Sequence, residues 1–230
     1  MNKIFLGIAL FSISFTASSQ TNGEQDLGAW YMYFGATKIS EKLSIHSEVQ
    51  GRFYNLSNFN QLLIRVGLNY HINDKAMLTA GYGIMPTESY EKGKNQVTVF
   101  ENRIWEQFVL KNSIGRVFFS HRYRLEQRWL TSNVAPDTYK NRARYQLLVK
   151  IPINNPTLKA KTVYAAIYDE IFMHLESNPF NQNRLYFALG YKINKQIDLQ
   201  AGYLKNHVKN LTYDRLQFAI FYNPNFTTKD

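Results

Sequence analysis

The chain has 230 residues, a formal net charge of +10 and no cysteine. That length fits one or two ordinary domains, or a single barrel. The absence of cysteine excludes disulfides, thiolate metal sites and a lipid anchor on an N-terminal cysteine.

The first twenty residues are MNKIFLGIALFSISFTASSQ: Lys3, an apolar run from Ile4 to Phe15, then the small residues Ala17, Ser18 and Ser19. This is the layout of a secretory signal peptide with cleavage expected after Ser19. Residues 1–19 are therefore read as the signal and residues 20–230 as one exported domain. The apolar run is too short for a spanning helix, and no later segment reaches the roughly 18 apolar residues such a helix needs. A basic chain ordinarily invites a nucleic-acid reading. Export removes that partner, so the charge needs another origin.

Beyond the signal, polarity alternates with a period of two, the signature of strands with two unlike faces. In LSIHSEVQGRF, Leu43, Ile45 and Val49 share a face, while His46, Glu48, Gln50 and Arg52 share the other. In QLLIRVGLNYHI, Leu62, Ile64, Val66, Leu68 and Tyr70 oppose Gln61, Arg65, Asn69 and His71. The segment GRVFFSHRYRLEQRWL places Val117, Phe119, Tyr123, Leu125 and Trp129 at odd positions and Arg116, Arg122, Arg124, Glu126 and Arg128 at even ones. The same alternation runs through YKNRARYQLLVKI, NRLYFALGYK and DRLQFAIFY. Eleven such segments begin near residues 27, 42, 58, 75, 97, 115, 139, 158, 182, 196 and 212. Most run about 10 to 16 residues, longer than the five or six typical of soluble sheets.

ISEKL, INDKA, NSIGR, NNPTL and NKQ read as tight joins. YNLSN, TESYEKGKNQ, TSNVAPDT, ESNPFN and HVKNLT read as longer polar loops. Short turns at one end and long loops at the other describe an all-β, antiparallel up-and-down transmembrane β-barrel. Single-chain bacterial barrels have even strand counts, so twelve strands are expected, with ten as the alternative.

An arginine facing the bilayer midplane costs about 2–4 kcal/mol, so the four arginines of GRVFFSHRYRLEQRWL are expected to point into the lumen and its apolar face to meet lipid. Trp30, Tyr54, Tyr70, Trp129, Tyr139, Tyr191 and Tyr222 fall near segment ends, as interfacial girdles do. Small residues on the other face (Gly67, Gly81, Gly83, Ala188, Gly190 and Gly202) suit a crowded lumen. The competing arrangement is a soluble periplasmic barrel of lipocalin type, with the apolar face inside.

ENRIWEQ, HRYRLEQR, NRARYQLLVKIPI, YDEIF and FNQNRLYFALGY, in that order after DLGAWY, resemble the pattern of the family called domain of unknown function 2490. The resemblance covers nearly the whole exported domain. It implies an exported bacterial outer-membrane barrel, frequent in Bacteroidetes, and carries no established activity.

The candidate site is an inward charge lattice: Glu101, Arg103 and Gln107; Arg122, Arg124, Glu126 and Arg128; Arg142 and Arg144; then Glu170, Arg184 and Arg215. It reads either as a salt-bridged plug or as an electropositive, porin-like pore that favours anions. In the open form, Arg122, Arg124, Arg142 and Arg144 are expected unpaired, forming a positive constriction. Glu106 breaks the pattern, facing outward or marking a bulge. A lipid hydrolase would need serine and histidine together on the outer wall, but Ser120 and His121 have opposite parity. His46 and Glu48 could ligate a metal, yet stable sites want three or four ligands. The expectation is a non-enzymatic outer-membrane channel or wall protein without cofactor or metal. Its partners are outer-membrane lipid and lipopolysaccharide outside and small anionic solutes inside. A lipid-modifying enzyme and a soluble binding barrel are the alternatives.

Overall fold

Strands of alternating polarity can satisfy every backbone hydrogen bond only by pairing all the way round, and the computed structural model shows that closure. It describes residues 26–56, 58–89, 97–176 and 178–227; the signal segment 1–19 lies outside them. The strands are β1 (Gly28–Lys38), β2 (Leu43–Phe53), β3 (Phe59–His71), β4 (Ala76–Ser89), β5 (Val97–Ile114), β6 (Val117–Ser132), β7 (Thr138–Pro152), β8 (Thr162–His174), β9 (Phe180–Lys192), β10 (Ile197–Val208) and β11 (Leu211–Tyr222). Each pairs with its sequence neighbour, and β1 pairs with β11 to close the barrel.

The count corrects the expectation of twelve or ten strands. All eleven segments are in the wall. An odd number of up-and-down strands leaves its first and last strands running the same way, so the seam is parallel, from Gly28↔Arg215 to Gly35↔Tyr222. The other pairings are antiparallel. The even-count expectation assumed both chain ends on one rim; here β1 begins at one rim and β11 ends at the other. Past β11 the chain stays against the seam, where Lys38 N donates to the Pro224 carbonyl at 2.9 Å and Phe226 N to the Lys38 carbonyl at 3.1 Å.

The division into tight and long ends is also less clean than expected. NNPTL belongs to a nine-residue join, 153–161, whereas HVKNLT closes in a two-residue turn, 209–210, with Lys209 at φ 54°. Arg116 sits in the two-residue β5–β6 turn beside Gly115, which has φ 57°. It reaches out of the wall to donate to the carbonyls of Pro152 and Asn155, so three arginines of its segment point inward, not four.

Inside and outside are inverted relative to a water-soluble protein. Among the described residues, buried polar or charged side chains outnumber buried hydrophobic ones by nearly two to one. The outer wall exposes Val66, Leu68, Leu125, Phe187, Leu189 and Ile220. Soluble monomers rarely expose so continuous an apolar surface. Tyr70, Tyr191 and Tyr222 stand out near one rim, and Trp129 and Tyr139, 5.2 Å apart, near the other. Trp30 and Tyr54 do not join them: both are buried, Trp30 in the lumen and Tyr54 donating to the Glu88 carbonyl. Glu106 faces outward without a bulge in β5 and accepts from Gln127 Nε2 at 3.3 Å.

Candidate functional site in the barrel interior

Adjacent strands bring like charges face to face. In register, Arg103 stands opposite Arg128, and Arg124 opposite Arg144. Carboxylates from diagonal positions relieve both pairs. Glu101 accepts from Arg103 Nε at 2.7 Å and from Arg128 Nε and Nη2 at 2.8 and 2.7 Å. Glu126 is the hub. It accepts from Arg142 Nη2 at 2.6 Å, Arg144 Nη1 at 2.7 Å and Arg103 Nη1 at 3.0 Å. Arg65 Nη1, from β3 across the lumen, lies 3.7 Å away and Arg124 Nη1 4.0 Å. Glu170 takes Arg144 and Arg122, each at 2.7 Å. Gln107 accepts from Arg124 Nη2 at 2.6 Å.

Ten of the twelve sequence candidates therefore fall in one network on β5–β8. Arg122, Arg142 and Arg144 do not form the expected unpaired constriction, because Glu126 and Glu170 already hold them, and Arg124 turns away to Gln107. Removing one partner of such a buried pair strands a charge in a medium that solvates it poorly, at about 3–5 kcal/mol. Arg184 and Arg215 lie elsewhere. Arg215 donates to the Asp26 carbonyl at 2.9 Å.

Trp105 completes the filled side. It is fully buried and inward, with the Arg124 guanidinium carbon 4.7 Å from its ring centroid and His46 edge-on at 5.1 Å. Its ring lies so close to β3 and β4 that a Cβ on Gly81 would come within 2.7 Å of it, and one on Gly67 within 3.1 Å. Only glycine leaves room there.

A cavity of about 630 Å³ occupies the rest of the lumen. Nine arginines and Lys150 line it, against two carboxylates, Glu48 and Glu170. Glu48 is held by Arg65 at 2.5 Å and by Gln50 and His46, which leaves it poorly placed as a metal ligand; among the described residues no cluster of three potential ligands occurs. Lys150 lies 3.5 Å from Asp198, which also accepts from Tyr164. On the outer wall His121 Nδ1 meets Tyr145 Oη at 2.9 Å, while Ser120 faces the other way.

Sequence reasoning placed Glu48, Arg52 and Arg65 on polar faces but left them out of the lattice. Their parity was the available signal. Trp30 lies near a strand end yet faces the lumen, as its even position, shared with Met32 and Phe34, dictates.

Residues 27–217 match the model of a family described as Protein of unknown function (DUF2490). No curated protein and no solved structure matches the chain.

Proposed function

We propose that this chain, which belongs to the DUF2490 family, is a non-enzymatic barrel of the bacterial outer membrane whose lumen admits small anions. The observation that carries the reading is the cavity of about 630 Å³ lined by nine arginines and Lys150, among which Arg52 and Arg184 have no carboxylate oxygen within 4.0 Å among the described residues. Low-dielectric walls focus the field of those charges and raise the local anion concentration. The apolar outer wall supports a lipid environment, with lipid and lipopolysaccharide as its neighbours. A buried arginine lattice is tolerable in such a barrel because the outward face alone has to match hydrocarbon.

Planar-bilayer conductance with the purified protein tests the reading. The expected result is a preference for chloride over potassium that fades between 0.1 M and 1 M salt, as the screening length falls from about 10 Å to about 3 Å. A protein that inserts yet never conducts would leave only a structural wall role.

A further inference from the structure

We infer that Trp30, Arg52 and Arg184 form a binding site for a small oxyanion with two negative charges, of the phosphate type; this rests on the reading that the lumen admits anions. Trp30 on β1 faces Arg52 on β2 directly in register. Arg184 comes from β9, across the seam. The guanidinium carbon of Arg52 lies 4.1 Å from the Trp30 ring centroid and that of Arg184 4.8 Å, so the two cations are within about 9 Å of each other. Both line the cavity and both are half-buried.

What sets them apart is the chemistry of their partners. Among the described residues neither has a carboxylate oxygen within 4.0 Å. Arg52 is held by neutral carbonyls: Gln50 accepts from its Nε at 3.1 Å and its Nη2 at 2.7 Å, and Gln61 accepts from its Nη1. Gln61 is itself fixed by donating to Thr87 Oγ1 at 2.6 Å. Arg184 Nε donates to Asn206 at 3.4 Å. With the Gln182 amide turned so that its oxygen faces Arg184, that oxygen accepts from Nη2 at 2.9 Å and from Nε at 3.1 Å. Arg184 Nη1 donates to no acceptor among the described residues.

Amides orient a guanidinium without cancelling its charge. Two like charges this close in a partly desolvated space repel each other, and the ring they share offers only its quadrupole. An anion that both guanidiniums reach relieves that repulsion. The guanidinium presents planar, forked donors that match the paired oxygens of phosphate or carboxylate. Two such forks packed against one aromatic ring favour a dianion with several oxygens over a monoatomic halide.

Calorimetric titration of the detergent-solubilised full barrel with inorganic phosphate tests this, with chloride and acetate as comparison ligands at equal ionic strength. Phosphate is expected to bind more tightly than either. Arg52→Gln and Arg184→Gln are each expected to weaken it about tenfold or more, the scale of one lost charge-assisted hydrogen bond. Arg116→Gln, in the turn, is expected to change nothing. Arg52→Lys keeps the charge but loses the fork, and should restore only part of the affinity. Heat-modifiable gel mobility reports folding for each variant. Phosphate binding that survives in the folded Arg52→Gln/Arg184→Gln protein would overturn the site. So would an absence of phosphate binding in a wild-type barrel that still conducts anions, which would leave the channel reading standing. A barrel that binds phosphate but does not conduct would keep the site and remove the channel.

Discussion

The two halves of the lumen use the same residue type to opposite ends. On β5–β8, arginines face arginines in register, and Glu101, Glu126 and Glu170 neutralise them at 2.5–3.0 Å. Around β1, β2 and β9, Arg52 and Arg184 meet amides and an indole ring instead. The first arrangement is a cross-link between strands. The second leaves positive charge facing a cavity. What an arginine does in this barrel is decided by whether a carboxylate oxygen reaches its guanidinium: Glu126 reaches Arg142 from the facing position, whereas Glu170, facing Arg184, is turned to Arg144 and Arg122.

The largest expected effect comes from the neutralised half. Glu126→Gln removes the charge that Arg103, Arg142 and Arg144 share, and should cost about 3–5 kcal/mol. Thermal unfolding in detergent, read by heat-modifiable mobility, should show a large drop. A near-silent variant would mean that the hub is not structural and would dissolve the comparison.

The outward face should not distinguish the halves. Leu147→Arg on β7 and Phe187→Arg on β9 each put a cation on the apolar outer wall, at about 2–4 kcal/mol if that wall meets the middle of a bilayer. Both should reduce folding into lipid vesicles to a similar degree. Gln146→Arg, inward and next to Glu170 in register, should be tolerated. Equal damage at all three positions would contradict the facing of the strands.

A smaller effect is expected where the filled half is tightest. Gly81→Ala drives a methyl into the Val66 carbonyl oxygen and to within 2.7 Å of the Trp105 ring, and overpacking of this kind costs about 1–3 kcal/mol. Pairing it with Trp105→Phe should recover part of the loss in the same unfolding assay. The smallest stability change belongs to Arg52→Gln/Arg184→Gln. With no carboxylate left stranded, it should stay within the range of about 1 kcal/mol typical of losing ordinary hydrogen bonds.

How legible this was in the sequence follows from the same geometry. Parity alone told which side chains share a face, because a strand alternates without regard to its neighbours. The facing of Arg103, Glu126 and Arg144 needed nothing more, and family resemblance agreed with the barrel. Partners across the lumen were a different matter. The approach of Arg65 on β3 to Glu126 on β6, and of Arg184 on β9 to Trp30 on β1, depends on how far the strands are staggered around the closed wall. That stagger is a property of all eleven strands together. The parallel seam was hidden for a related reason, since no local pattern says which rim a chain end occupies. Arg116 departs from the pattern because it lies in the two-residue turn 115–116, before the alternation of β6 begins at Val117.

The most direct test of the comparison is the reversal potential of single barrels in a planar bilayer across a potassium chloride gradient at low ionic strength. Wild type is expected to favour chloride. Arg52→Gln/Arg184→Gln is expected to lose most of that preference while still inserting. Arg124→Gln, which alters a buried side chain that does not line the cavity and already donates to Gln107, is expected to keep it. Selectivity that persists in the double variant, or that disappears in Arg124→Gln, would contradict the assignment of structural charge to one wall and exposed charge to the other.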